Sequence, residues 1–173
     1  DATLGLGGHR KAILERFPKV KVIGLDRDLS AIVIAAESTK KYSHRLTIVH
    51  TVYDEMDSAL AKLGVKRVDG ILFDLGVSSM QLDVAERGFS YSQDAPLDMR
   101  MDQTQGITAE EIVNTWSHGE LARILRVYGE EKFAPRIADF IIREREVSPI
   151  KSTAALATLV KNAIPAAARR TGG

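Results

Sequence analysis

The chain has 173 residues, of which 45% are hydrophobic and 27% are charged, so it is long enough to bury the core of an ordinary globular domain. Its formal net charge of +1 excludes a global basic field, although a local basic patch could still bind nucleic acid. The absence of cysteine excludes disulfides and thiolate metal sites, and no apolar run approaches the length of a membrane span.

The N-terminal stretch combines closely spaced glycines with the start of a helix. Gly5, Gly7 and Gly8 precede a helical pattern that runs from Arg10 to Phe17. Glycine permits tight turns and the close approach of a ligand, and a helix that begins here offers unpaired N–H groups. The spacing is not the Gly-x-Gly-x-x-Gly dinucleotide fingerprint, so a plain strand-to-helix turn is the alternative to a cofactor loop.

Helical and strand patterns alternate as far as residue 74. Residues before the glycines are expected to be the tail of a first strand. The predicted elements that follow are a strand over 20–26, a helix over 29–40, a strand over 45–50, a helix over 56–63 and a fourth strand over 69–74. Apolar strands that alternate with helices are typical of βαβ units, so the sequence predicts an α/β core with a parallel sheet.

Three predicted strands deliver polar or aromatic groups to the same edge of this sheet. Asp26 and Asp74 end the second and fourth strands, and Tyr53 follows the third. Ligands bind beyond the carboxyl ends of parallel strands, and Asp26 lies close to the roughly 20-residue spacing of a ribose-binding acid. Asp74 is costly after an apolar strand unless it is hydrogen-bonded or functional. Tyr53 is equally consistent with a core aromatic and with one that stacks on a purine.

The alternation stops over 76–106, which has little periodicity and contains Gly88 and Pro96. Such long loops are uncommon in compact domains and are usually functional or disordered. The apolar side chains of Phe89 and Leu97 argue against disorder, so we predict an active-site loop.

The remainder of the sequence is helical from residue 107. Capping boxes begin at Thr108 and Ser117, and helices are predicted over about 118–128, 130–147 and 152–164. We expect a helical subdomain with Trp116 in its core. The histidines show no metal-ligand spacing with carboxylates, so no metal site is predicted.

Longer strings of residues carry a family resemblance, at 1–9, 69–83, 85–90, 96–102 and 128–134. These strings are similar to the bacterial 16S rRNA cytosine-N4 methyltransferase family (MraW, also called RsmH). The resemblance implies a class I, Rossmann-like methyltransferase core with a parallel sheet and an inserted helical subdomain. It divides the chain into a partial cofactor-binding core over 1–82, an active-site loop over 83–106 and a partial helical substrate-recognition subdomain over 107–173. The family's N-terminal segment and later sheet strands do not occur, so the chain is expected to be truncated at both ends.

The resemblance further implies a pocket for S-adenosyl-L-methionine, lined by Gly7, Gly8, His9, Asp26, Tyr53, Asp74 and Gln81. In this pocket Asp26 would hold the ribose hydroxyls. Tyr53 would flank the adenine, at a position where the family more often has Phe. Met80 stands where proline is usual, a change that the loop is expected to tolerate.

The implied reaction is N4-methylation of a cytidine in 16S rRNA, in the decoding region of the small ribosomal subunit. Cytosine N4 is a poor nucleophile, so the protein must align N4, the methyl carbon and the sulfur. An oxygen that accepts an N4 hydrogen would assist, and the candidate is Asp74 or a nearby backbone carbonyl. A stacked base must turn out to reach the site. The loop side chains expected to hold it are Arg87, Phe89, Tyr91 and Arg100.

Two alternatives stay open. A nucleotide-cofactor oxidoreductase would share the glycine turn and Asp26, but would leave the 76–106 loop and the helices unexplained. A truncated piece that retains only cofactor or RNA binding is the second. The resemblance also implies a cytoplasmic protein without a membrane partner, and a homodimer is one option for its oligomeric state.

Overall fold

Two units make up the chain, Asp1–Ser78 and Ser79–Gly173, and the computed structural model describes residues 1–169. The last four residues of the helical subdomain predicted over 107–173 therefore lie outside the described residues. The division falls after Ser78, whereas the sequence predicted a core that extends to residue 82.

The first unit alternates helices with two strands. In chain order its elements are α1 (Gly8–Arg16), β1 (Val22–Asp26), α2 (Leu29–Ser38), a 3-10 turn (Lys40–Tyr42), β2 (Leu46–His50), a 3-10 turn (Tyr53–Glu55) and α3 (Met56–Lys62). β1 and β2 are parallel, with Asp26 opposite His50. The prediction of a mixed α/β architecture with a parallel sheet is confirmed.

Residues 1–4 run beside β1, where the tail of a first strand was predicted. The Asp1 amino group donates to Ile23 O at 2.8 Å, and Leu4 N donates to Leu25 O at 2.9 Å. Asp28 caps α2, because its Oδ1 accepts from Ser30 N at 3.0 Å. These contacts fix the glycine turn between the sheet and α1.

The predicted fourth strand is wrong as a regular strand. In the described part of the chain no strand is assigned to 69–74. Two hydrogen bonds join this segment to residues 1–4, from Ala2 N to Leu72 O at 2.8 Å and from Asp74 N to Thr3 Oγ1 at 2.6 Å. Ile71 is 54% exposed and Phe73 is 43% exposed. Strands of parallel sheets are stabilised by burial on both faces, and this segment lacks that burial.

The second unit is helical and has its own core. Its helices are α4 (Ser79–Asp83), α5 (Ala109–Thr115), α6 (His118–Val127), α7 (Ala134–Val147), α8 (Thr153–Ala163) and α9 (Ala166–Arg169), with a 3-10 turn at Ala85–Arg87. Its core residues are Leu97, Val113, Leu121, Ile137, Ala138, Ile141, Ile150, Leu159 and Ala163. Trp116 packs against this core. The Ser117 capping box has both of its hydrogen bonds. At Thr108 the structure shows one of the two, which the Thr108 side chain accepts from Glu111 N.

The segment predicted as an active-site loop is fixed to the start of α8. Leu97 is buried in the core, and its N–H donates to Lys151 O at 3.2 Å. Thr153 N donates in turn to Ala95 O at 2.8 Å. Gly88 adopts a φ of +71°, and a Cβ there would lie 2.5 Å from Pro96 O, so only glycine fits this turn. Its contacts with the start of α8 and with the helical core therefore order this loop.

Across residues 1–169 we find no helix long and apolar enough to span a bilayer.

Candidate active site

Asp26 joins the glycine loop to the start of α2. It is the last residue of β1, and its Oδ2 accepts a hydrogen bond from Gly5 N at 2.7 Å. Its Oδ1 accepts a second bond from Asp28 N at 2.9 Å. Each carboxylate oxygen keeps a further lone pair, so the group can also accept a ligand hydroxyl. The acid predicted to bind a ribose thus lies directly beside the glycine loop.

The glycine loop ends in an uncapped helix N-terminus. Gly7 precedes α1 in a left-handed conformation with φ +92°, and its N–H donates to Leu4 O at 3.1 Å. No side chain caps α1, and its first turn carries no acidic residue. Gly8 and His9 open the helix and are exposed. The first N–H groups of a helix have no intrahelical partner, so this end can donate to a ligand.

A buried arginine, which the sequence analysis did not single out, lies against the same loop. Arg10 is 0% exposed, and its Nη1 donates to Leu4 O at 3.0 Å. Its Nε and Nη2 have no hydrogen-bond partner among the described residues. Burial lowers the pKa of Arg10 to about 10, and the nearby Asp26 carboxylate opposes that shift. The four-residue spacing to the buried Leu14 is the sequence signal that could have placed Arg10 on the inner face of α1.

Asp74 lies beside His9 and is open to solvent. The distance between His9 Nδ1 and Asp74 Oδ2 is 3.5 Å, and both side chains are about two-thirds exposed, at 65% and 64%. The backbone of Asp74 is held by Thr3, whose Oγ1 accepts from Asp74 N at 2.6 Å. Thr3 was not predicted as a site residue. Because this polar residue stands between the buried Ala2 and Leu4, the alternation indicates that its side chain lies on the opposite side of the segment. The predicted catalytic carboxylate is thus positioned but not buried.

Tyr53 forms an aromatic corner with Phe73. The ring centroids lie 5.8 Å apart at an interplanar angle of 86°, which is an edge-to-face contact. Tyr53 is 46% exposed and Phe73 is 43% exposed, so Tyr53 is not a core aromatic. Phe73 directly precedes Asp74 in the chain, so the same short segment carries both residues. Phe73 was expected only as an apolar strand residue, and its exposure gives it a contact surface for a ligand.

Two of the predicted substrate residues hold the loop together in this structure. Arg87 is buried, and its Nη2 donates to Arg100 O at 3.0 Å and to Met101 O at 2.7 Å. Arg100 forms an ion pair with Asp98, with 2.7 Å between Nη2 and Oδ2. The hydrogen bond from Arg100 keeps the pKa of Asp98 below its ordinary value, while burial acts in the opposite direction. These contacts favour a structural role for both arginines.

The other predicted substrate and cofactor residues of the second unit differ in exposure. Tyr91 is 78% exposed, so its ring is available to a partner. Phe89 is half-buried, and the Arg87 guanidinium lies 5.9 Å from its ring centroid. Gln81 is buried within α4, and its predicted contact with a cofactor stays a prediction.

Within residues 1–169 no three His, Asp or Glu side chains are grouped so as to hold a metal ion.

Comparisons with known proteins give one consistent result. The family model described as the MraW methylase family matches residues 1–173. The ribosomal RNA small subunit methyltransferase H of Salinispora arenicola (strain CNS-205) is 62% identical over 100% of this chain and 46% of that protein. The proteins of the same name from Salinispora tropica and Streptomyces avermitilis are 61% and 57% identical over 100% of this chain, which covers 47% and 54% of them. The chain therefore spans about half the length of these curated relatives.

Proposed function

Because the chain belongs to the MraW methylase family, we propose that it is the cofactor-binding and base-binding part of a methyltransferase that acts on 16S rRNA. The reaction is N4-methylation of a cytidine in the small ribosomal subunit, with S-adenosyl-L-methionine as the methyl donor. The observation that carries the proposal is the bond between Gly5 N and Asp26, which puts an acid beside a glycine loop and a helix N-terminus. The comparisons give no support to the oxidoreductase alternative.

The residues of the first unit fit S-adenosyl-L-methionine. When bound, this cofactor supplies an electrophilic methyl group on a positively charged sulfur. Asp26 has lone pairs left for the ribose hydroxyls, and Tyr53 with Phe73 offers an exposed aromatic surface for the adenine. The glycine loop brings the backbone N–H groups of Gly8 and His9 close to the ligand without a Cβ in the way.

The Asp74 carboxylate accepts a hydrogen bond from the N4 amine of the target cytidine. An exposed carboxylate whose backbone is fixed by Thr3 can orient the N4 group and stabilise the charge that develops there. His9 faces the same carboxylate and is positioned to limit its rotation. Asp74 therefore contributes positioning and charge stabilisation, while alignment of the reacting atoms supplies most of the rate.

Tyr91 is the side chain of the loop that stacks on the target base. It is the most exposed of the four predicted substrate residues, and Arg87 and Arg100 shape the loop that carries it. Aromatic stacking on an unpaired base is a common mode of RNA recognition and contributes about 1–3 kcal/mol per base. The small ribosomal subunit is thus the proposed partner, and a homodimer and a cytoplasmic location remain predictions.

The role of Asp74 is tested with Asp74→Ala in the full chain. Binding of S-adenosylmethionine is measured by calorimetry, with NAD as the competing alternative, and methyl transfer is measured on small ribosomal subunits. We expect methyl transfer to fall at least tenfold and cofactor binding to weaken by less, since Asp74 is also predicted to line the cofactor pocket, whereas Asp57→Asn, an exposed acid on α3, should change neither. Undiminished transfer by Asp74→Ala would remove Asp74 from the mechanism. A chain that binds the cofactor but transfers no methyl group supports the binding-only alternative.

The role of Tyr91 is tested by Tyr91→Ala and Tyr91→Phe, with Tyr128→Ala as the control. Tyr91 and Tyr128 are both tyrosines of the second unit and are similarly exposed, at 78% and 75%. Tyr91→Ala should weaken RNA binding about tenfold or more, and Tyr91→Phe should retain it because the ring does the stacking. Equal losses for Tyr91→Ala and Tyr128→Ala would contradict the assignment.

A further inference from the structure

Arg10 is an unusual residue for the place it occupies. It lies in the first turn of α1, where the helix dipole is positive and a cation is unfavourable. The same turn lacks both a side-chain cap and an acidic residue, so no anion in the first turn of α1 offsets its charge. A guanidinium that is fully buried and leaves two nitrogens unpartnered adds a desolvation cost.

The immediate surroundings of Arg10 satisfy only part of its bonding capacity. Leu4 O accepts from Nη1, and Asp26 provides the nearby negative charge. Asp26 itself accepts from Gly5 N and Asp28 N. A pKa of about 10 keeps Arg10 charged at neutral pH. Its two unpartnered nitrogens can therefore each donate a hydrogen bond to an anionic oxygen.

The guanidinium also lies on the part of the glycine loop that precedes α1. A Cβ on Gly7 would overlap the Arg10 guanidinium, so the missing side chain provides the room that it occupies. Positive charge, unpaired donors and an uncapped helix N-terminus thus coincide at one turn. That combination is the chemistry of a carboxylate or phosphate site.

Resting on the proposed function, we propose that Arg10 recognises the carboxylate at the amino-acid end of the methyl donor. Asp26 then takes the ribose, and the Arg10 guanidinium together with the first N–H groups of α1 takes the carboxylate. Since Nη1 donates to Leu4 O, the unpartnered Nε and Nη2 are the donors left for the carboxylate. Arg10 therefore decides whether the site accepts a donor that carries an acid.

The test compares S-adenosylmethionine with decarboxylated S-adenosylmethionine, which lacks only the carboxylate. Dissociation constants are measured by calorimetry on the full chain and on Arg10→Met, Arg10→Lys and Lys11→Met. Lys11 is the neighbouring exposed cation on the same helix turn and serves as the matched control. Thermal unfolding followed by circular dichroism checks that each variant is folded.

We expect Arg10→Met to weaken binding of S-adenosylmethionine about ten- to a hundredfold, the effect of a lost hydrogen bond to a charged group. Its affinity for the decarboxylated donor should stay within about threefold, Arg10→Lys should recover part of the loss, and Lys11→Met should resemble the wild type. Phosphate at millimolar concentration should compete weakly with the carboxylate-bearing donor.

Other outcomes overturn the inference in distinguishable ways. Equal losses for both donors would make Arg10 a support of the loop and not a carboxylate ligand. If Arg10→Met does not fold, a wild-type chain that binds both donors equally well refutes the inference on its own. Wild-type protein that binds neither donor would overturn the proposed function together with this inference. Phosphate that binds as tightly as S-adenosylmethionine would assign the Arg10 site to phosphate and overturn the inference alone.

Discussion

Gly7 is the residue of the loop at which a side chain is least tolerable. Its φ of +92° is in the left-handed region, and a Cβ would overlap the buried guanidinium of Arg10. Gly8 has open space around its Cβ position and a helical backbone. We expect Gly7→Ala to lower the free energy of unfolding by about 1–3 kcal/mol, measured by urea denaturation.

Gly8→Ala is the control for this comparison and should change stability by no more than about 0.5 kcal/mol. If the two substitutions cost the same, the contact between Gly7 and Arg10 does not constrain the loop.

Asp98 gives the second unit a stability that depends on pH. Its pKa lies below the ordinary value of 3.8, chiefly because Arg100 donates to it. A carboxyl group whose pKa is lower in the folded state stabilises that state at pH values above its pKa in the unfolded chain. This contribution is lost as the pH falls through the lower pKa of the folded state. Asp98→Asn should therefore be less stable than the wild type near neutral pH.

The measurement for Asp98 is urea denaturation of wild type and Asp98→Asn from about pH 6 to about pH 2.5, a range that spans the carboxyl titration. The difference between the two curves should be constant above the ordinary pKa and shrink below it. A difference that does not depend on pH would mean that the ion pair is not responsible.

Some site residues could be predicted from sequence and others could not. The position of Asp26 at the end of β1 could be predicted, because an apolar run that ends in an acid indicates both the strand and its last residue. Arg87 and Arg100 were assigned to RNA because an arginine in a loop has the same sequence signature whether it donates to carbonyls or to a base. Arg10 lies within a helical pattern of mixed residues, and the sequence signal that it faces inward is its four-residue spacing to Leu14.

At the scale of secondary structure, local signals predicted helices better than strands. The Ser117 capping box lies where it was predicted, since a cap depends on residues within four positions of each other. The strand predicted over 69–74 depends on neighbours on both sides, and an apolar pattern does not show whether those neighbours are present. α7 begins at Ala134, four residues after its predicted start, with Pro135 in its first turn.

Ser117 should contribute measurably to the stability of α6. Its Oγ accepts from Glu120 N at 3.3 Å, and Ser117 N donates to Glu120 Oε2 at 2.9 Å. Ser117→Ala should lower the free energy of unfolding by about 1 kcal/mol, because one helix N–H loses its partner. Ser117→Asp can still cap the helix and should retain most of that stability.

The adjacent Trp116 is the only tryptophan of the chain, so its fluorescence in a urea titration reports on this helix. An alanine variant as stable as the aspartate variant would contradict the capping role of Ser117.

At the scale of the whole chain, the two units differ in how completely they bury their apolar residues. The clustered core lies within the second unit, from Leu97 to Ala163. The first unit leaves Ile71, Phe73 and Leu75 exposed. We expect a segment of residues 79–173 to fold alone, because its core does not draw on the first unit.

Circular dichroism and Trp116 fluorescence of this segment should show one cooperative urea transition, close to the Trp116 transition of the full chain. A segment without helical signal in buffer would show that its core needs residues 1–78.

Ile71, Phe73, Leu75 and Val77 are exposed by 54%, 43%, 68% and 45% and recur at every second position. Alternating apolar side chains with few bonded backbone groups form a template onto which another copy can add as a strand. The chain should therefore aggregate as its concentration rises, and the aggregation should begin at residues 71–77. Leu75→Lys should raise the concentration at which light scattering appears, whereas Leu29→Lys, a change at an exposed leucine on α2, should not. The segment that adjoins the proposed active site is therefore also the one through which this chain is expected to self-associate.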